Sequence, residues 1–125
     1  MKSCVYIADS DDSVANSIAF LLRSEGISSR VFSLGHDLLR TALDSPPECI
    51  VVESLLPDIT GLNLMQRLRI NRIATPVILL SQAMDSNSQV DALKVGVWDY
   101  LEKPFMQQQL VNSVQSAMTR TMMPA

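Results

Sequence analysis

Short apolar runs alternate along this chain with stretches whose apolar residues recur every three or four positions. Val5-Tyr6-Ile7-Ala8 reads as a first strand. Val14, Ile18, Leu21 and Leu22 then carry a helical spacing over residues 13–24. Asp12 or Ser13 is the expected cap of that helix and Gly26 its end. Arg30-Val31-Phe32 is a short second strand, and Leu38, Leu39, Ala42 and Leu43 mark a second helix over 36–43. Pro46-Pro47 breaks the chain. Cys49-Ile50-Val51-Val52 and Pro76-Val77-Ile78-Leu79-Leu80 are continuous apolar runs, the pattern of strands buried on both faces. Between them Leu62, Leu64, Met65 and Leu68 predict a third helix. Val90, Leu93 and Val95 predict a fourth helix that stops at Gly96. Trp98-Asp99-Tyr100-Leu101 is the last strand, and Leu110, Val111, Val114 and Ala117 mark the last helix.

Five strands alternating with helices predict a parallel sheet covered on both faces. Right-handed crossovers leave few topologies. The expected fold is therefore α/β: a flavodoxin-like (βα)5 three-layer sandwich with sheet order 2-1-3-4-5. The 125 residues suit one domain. Residues 1–120 are assigned to it, and 121–125, with Met122 and Met123 before Pro124, to a tail or the start of a linker.

Composition narrows the partners. A net charge of −3 argues against direct nucleic-acid binding by this domain. No apolar run reaches the roughly 18 residues a membrane span needs. Cys4 and Cys49 lie in apolar runs and read as reduced thiols, so the expected compartment is the cytoplasm. His36 stands without Cys or His neighbours and reads as a solvated residue, not a ligand.

In an open parallel sheet, chemistry gathers beyond the carboxyl ends of the strands. Asp9, followed by Ser10, Asp11 and Asp12, ends the first strand. Glu53 ends the third, Ser81 the fourth, and Glu102-Lys103-Pro104 follows the fifth. Acids, a hydroxyl and a lysine are thus expected at one edge. A flavin phosphate site on this fold would need glycines and hydroxyls after the first strand, where three carboxylates stand instead. A flavin-binding redox protein is accordingly the weaker alternative.

These residues, with Leu56-Pro57-Asp58-Ile59-Thr60-Gly61 and Asp99-Tyr100-Leu101-Glu102-Lys103-Pro104-Phe105, make the chain resemble a response-regulator receiver domain over nearly its whole length. It is most similar to the receivers that precede helix-turn-helix output domains. The resemblance implies a phosphorylation switch with an acidic pair, a phosphoacceptor Asp, a hydroxyl, a lysine and Mg²⁺. Asp9 then matches the first acid, Ser81 the switch hydroxyl, Lys103 the lysine and Tyr100 the aromatic switch residue. Lys103-Pro104 resembles a linkage usually cis in the family.

Three positions depart from that pattern. Ser10 replaces the second acid, Glu53 stands at the phosphoacceptor position four residues before Pro57, and Gln82 replaces a small residue. Mg²⁺ demands near-octahedral oxygen ligands, and a nucleophile misplaced by ~1 Å can lose on the order of 10²-fold in rate. The expectation is an atypical, non-enzymatic receiver that is not phosphorylated, with Glu53 a partial phospho-mimic or a relict. Asp9, Ser10 and Asp11 form the acidic pocket. No cofactor is expected, and Asp9 and Glu53 hold Mg²⁺ weakly or not at all. Lys103 should pair with Glu53 or Asp9, with Ser81 or Gln82 donating to the other oxygens. The alternative is a working phosphoacceptor receiver controlling transcription.

Expected partners are a histidine kinase or other signalling protein and a covalently linked DNA-binding output domain. A homodimer through the face of the fourth helix, fifth strand and fifth helix is a further expectation. Trp98 and Tyr100, two apart and so on one face of the last strand, carry that face with Val90 and Lys94.

Overall fold

The burial pattern expected of the apolar runs is the one the chain adopts in a computed structural model, which describes residues 4–82 and 92–122. The strands are β1 (Cys4–Ala8), β2 (Ser28–Phe32), β3 (Cys49–Glu53), β4 (Val77–Ser81) and β5 (Asp99–Glu102). All pair in parallel in the order β2-β1-β3-β4-β5. The helices α1 (Asp12–Ser24), α2 (Gly35–Asp44) and α3 (Gly61–Ile70), with a C-terminal helix over Gln107–Met122, cover the two faces. Residues 92–94 are helical, and the rest of the expected fourth helix, Val90 included, lies outside the described residues. The C-terminal helix runs two residues past the boundary expected at 120. No helix among the described residues is long and apolar enough to cross a membrane.

Every residue of β3 and β4 is buried, which explains why those strands are uninterrupted apolar runs. Alternate residues feed two cores. Tyr6, Ala8, Val52, Leu79 and Tyr100 pack with α2 and α3, whereas Val5, Ile7, Val51, Leu80 and Leu101 pack with α1 and the C-terminal helix. Ala15, Ile18 and Leu22 put the buried stripe of α1 on the second core. Cys4 packs against the first core and Cys49 lies in the second, so the free thiols occupy opposite faces of the sheet. Burial pushes the Cys49 thiol up to about 12.

Helix ends follow from local chemistry. The cap of α1 is Asp11, not Asp12 or Ser13: its Oδ1 accepts from the Ser13 and Val14 amides at 2.9 and 3.4 Å. Asp12 occupies the first turn instead. Gly26, at φ +77°, closes the other end, with the Ile27 amide donating to the Leu22 carbonyl and Gly26 to Arg23, both at 2.9 Å. The start of α2 is capped from another loop. The Asp58 carboxylate accepts from the Gly35 and His36 amides at 3.0 and 2.9 Å. Burial alone would raise the Asp58 carboxyl, but those amides leave it below the ordinary aspartate value.

Trp98 departs from its expected place. The register with β4 begins at Asp99, opposite Ile78, so Trp98 precedes the strand and the two-residue alternation does not extend to it. Its ring packs against the second core, with the Arg120 guanidinium 5.7 Å from the centroid. Tyr100 is buried in the first core. The two aromatics therefore do not share a face. Lys94, Leu93 and Val95 are exposed ahead of them.

Candidate functional site

The parallel register brings the last residues of β1, β3 and β4 level with one another, and the loops beyond them meet. Glu53 is the final residue of β3 and pairs with Leu80, one residue before Ser81. Asp9 follows β1 directly, and Lys103 follows β5. The Lys103 amide donates to the Ser81 carbonyl at 2.7 Å, continuing the ladder one step and fixing where the lysine side chain starts. The Lys103–Pro104 peptide is cis.

Asp9 is fully buried and Glu53 is 5% exposed. Among the described residues one cation, Lys103, lies between them. Lys103 Nζ is 2.6 Å from Asp9 Oδ2 and 3.3 Å from Glu53 Oε2, with its own side chain 9% exposed. The ammonium donates to Glu53 Oε2. It sits beside Asp9 Oδ2 as a counter-charge but off the line of a hydrogen bond, so no donor is aligned on that oxygen. Asp9 Oδ1 accepts from the Asp11 amide at 2.9 Å. The carboxylate of Asp11 itself serves the α1 cap, so only its backbone enters the pocket.

The second oxygen of Glu53 has a different neighbour. The Ser10 amide and hydroxyl both donate to Glu53 Oε1, at 3.0 and 2.7 Å. Ser10, read from the sequence as a missing ligand, is thus a two-point donor to Glu53. Burial by itself would raise the Glu53 carboxyl. The Ser10 donors and the Lys103 ammonium outweigh it, and the carboxyl sits below the ordinary glutamate value. One ammonium facing two carboxylates leaves the cluster with one negative charge in excess.

Glycine decides how close the next element comes. Gly61, the first residue of α3, donates its amide to the Ser54 carbonyl at 2.9 Å. A Cβ there would stand 2.5 Å from Leu79 Cδ2 and 3.2 Å from the Glu53 carbonyl oxygen. The hydrogen at this position lets α3 start directly against the end of β3. Thr60 caps the helix through Asn63 at 3.1 Å.

A cavity of about 420 Å³ opens beside the carboxylates. Among the described residues Glu53, Ser81, Gln82, Leu79, Ala92 and Tyr100 line it. Ser81 is buried and Gln82 is exposed at the rim. Tyr100 is 6% exposed. Asp9 and Glu53 are the acids that could face a cation, and Lys103 stands between them. No group of three His, Cys, Asp or Glu gathers for a metal among the described residues. Of the residues singled out in the sequence, Glu53, Ser81, Gln82 and Tyr100 line this cavity, and Asp9 and Lys103 meet Glu53 in the ion-pair cluster. The sequence did not anticipate the two-point contact from Ser10, for which a hydroxyl one residue after a strand-end acid is the only signal.

Comparison with known proteins places the fold in a family. The family model of the response regulator receiver domain matches residues 5–115. The chain is 31% identical over 116 residues to the transcriptional regulatory protein TdiR of Thauera aromatica, covering 93% of this chain and 51% of that protein. It is 32% identical over 117 residues to the transcriptional regulatory protein FixJ of Azorhizobium caulinodans, covering 94% and 56%. The chain therefore spans about half the length of the curated relatives it matches. Among solved structures it superposes on the Francisella response regulator 1452 receiver domain with a TM-score of 0.90 and 32% identity, covering 96% of this chain and 99% of that one. A five-stranded parallel sheet in this order, a strand-end acid pair bridged by lysine, and a family match over nearly all of the described chain lead to one conclusion: the chain belongs to the response regulator receiver domain family.

Proposed function

We propose that this receiver domain is an interaction module of a two-component transcriptional regulator whose switch does not run on phosphotransfer. The observation that carries the reading is the position of Lys103 Nζ, within 3.3 Å of Glu53 Oε2 and 2.6 Å of Asp9 Oδ2 at once. In a phosphorylated receiver that lysine would face phosphoryl oxygens. Here a carboxylate at the phosphoacceptor position already holds it. Glu53 supplies one negative charge where a phosphoryl group supplies nearly two and three acceptor oxygens, so the mimicry is partial. Nucleophilic attack by Glu53 would require its oxygens to leave Ser10 and Lys103. The resemblance to transcriptional regulatory proteins of about twice this length supports a linked DNA-binding output domain. A histidine kinase or another signalling protein is the partner the family supplies.

The family also implies Mg²⁺, and these residues do not fit it well. Both candidate carboxylates share Lys103, and the second acid of the pair is Ser10. An ion would have to displace an ammonium from two acids and find its remaining ligands elsewhere. Calorimetric titration with Mg²⁺ should give a dissociation constant above ~1 mM, weaker than a regulatory divalent site. Micromolar binding would show that Lys103 yields readily and would remove the main support for the reading.

Incubation with acetyl phosphate and Mg²⁺, followed by intact-protein mass measurement, tests the function directly. We expect no phosphoryl gain under conditions that fully label a working receiver. A stable gain of one phosphoryl group, abolished in Glu53→Gln, would make the domain a working phosphoacceptor.

A further inference from the structure

Ser10 is exposed, yet its amide and its hydroxyl both point at one oxygen of a nearly buried carboxylate. Two donors on one oxygen and an ammonium on the other leave the Glu53 carboxylate little freedom to rotate. We propose that Ser10 is the positioning residue of this pocket, fixing the Glu53 carboxylate so that its second oxygen faces Lys103. The proposal rests on the reading of Glu53 as the fixed partner of Lys103.

The geometry makes Ser10 and Glu53 a matched pair. A glutamate extends one methylene further from β3 than an aspartate, and that reach brings Oε1 to 2.7 Å from the Ser10 hydroxyl. An aspartate at position 10 would set a second carboxylate against Oε1, in a pocket where Asp9 and Glu53 already share one ammonium. The serine removes that repulsion and replaces it with a donor. The substitution that looks like a lost ligand in the sequence is, in the structure, the group that accommodates the longer acid. The hydrogen bonds from Ser10 are also the main influences that hold the Glu53 carboxyl below its ordinary value against the effect of burial. Among the described residues the charged groups of this cluster besides Glu53 are Lys103, after β5, which pairs with Glu53, and Asp9, after β1, which shares that lysine.

The test is an NMR titration of the Glu53 side-chain carboxyl in the whole chain, its resonance identified by loss in Glu53→Gln. Ser10→Ala should move the Glu53 midpoint upward by about one pH unit, the scale of losing a hydrogen bond to a charged form. Ser10→Thr, which keeps a hydroxyl, should restore the wild-type midpoint. Ser10→Asp should raise the midpoint further, and its unfolding midpoint in denaturant should recover when Glu53→Gln is added. An unchanged Glu53 midpoint in Ser10→Ala overturns the positioning role. Lys103→Met in the same titration separates the two claims. If that variant shifts Glu53 upward while Ser10→Ala does not, the lysine pairing stands and the role of Ser10 fails. If neither shifts it, both fail.

Discussion

Replacing Lys103 by Met should destabilise the domain by about 3 kcal/mol at pH 7, the scale for removing one partner of a buried ion pair. Asp9 is fully buried and Glu53 nearly so, and Lys103 is the cation both of them face. Methionine fills similar space without charge and leaves two acids facing each other in a desolvated pocket. The pH dependence follows from the direction of the shift. In the wild type the folded Glu53 carboxyl lies below its unfolded value. Its contribution is therefore complete above the ordinary glutamate range, near ~4.3, and is lost as pH falls through the folded value. In Lys103→Met the Glu53 carboxyl loses one of the influences that lower it, so it protonates at higher pH than in the wild type. The penalty is full while Glu53 is ionised and fades as pH falls and it protonates. Denaturant unfolding of both proteins at pH 7 and pH 5 should show the gap narrowing at the lower pH.

The second large effect is expected at Gly61, away from any charge. Gly61→Ala should cost about 2 kcal/mol, in the range for overpacking a close-fitted site. The new Cβ would meet Leu79 Cδ2 at 2.5 Å and the Glu53 carbonyl oxygen at 3.2 Å. Leu79 is 1% exposed, and the carbonyl belongs to a central strand. The start of α3 must move away from β3, and the residue most disturbed is Glu53. Thermal or denaturant unfolding reads the loss, and a change under 0.5 kcal/mol would mean that the contact relaxes freely.

Much of this fold is legible in the chain because buried parallel strands leave a strong mark. Cys49 to Val52 and Val77 to Leu80 admit no polar residue, since both faces of β3 and β4 are covered. The edge strand β2 is harder to read. Its first residues, Ser28 and Ser29, carry little apolar signal, so it begins two residues before the expected Arg30. The cap of α1 was ambiguous because Asp11, Asp12 and Ser13 can all accept from backbone amides; only the loop geometry selects Asp11. Trp98 was misplaced because alternation was carried past the first residue of β5: its amide still donates to the Val77 carbonyl, but its side chain joins the second core while Tyr100 lies in the first.

The pocket was legible for a simpler reason: strand ends in a parallel sheet share an edge, so Asp9, Glu53, Ser81 and Lys103 had to converge. Residue identity alone does not say which acid a lysine reaches, and Lys103 reaches both. Nor does it show that Ser10, read as a ligand removed, turns its hydroxyl onto Glu53. That contact depends on the extra methylene of Glu53 and on the turn after β1.

The central claim is that Glu53 and Lys103 hold each other as a standing pair, and a double-mutant cycle measures this directly. Glu53→Gln leaves the Lys103–Asp9 pair in place and should cost little. Lys103→Met alone should cost about 3 kcal/mol. The double variant, with one carboxylate fewer to repel, should be less destabilised than the two single costs combined, by a coupling of about 1 kcal/mol. Costs that simply add would mean the two side chains do not interact energetically, and the pairing account would be contradicted.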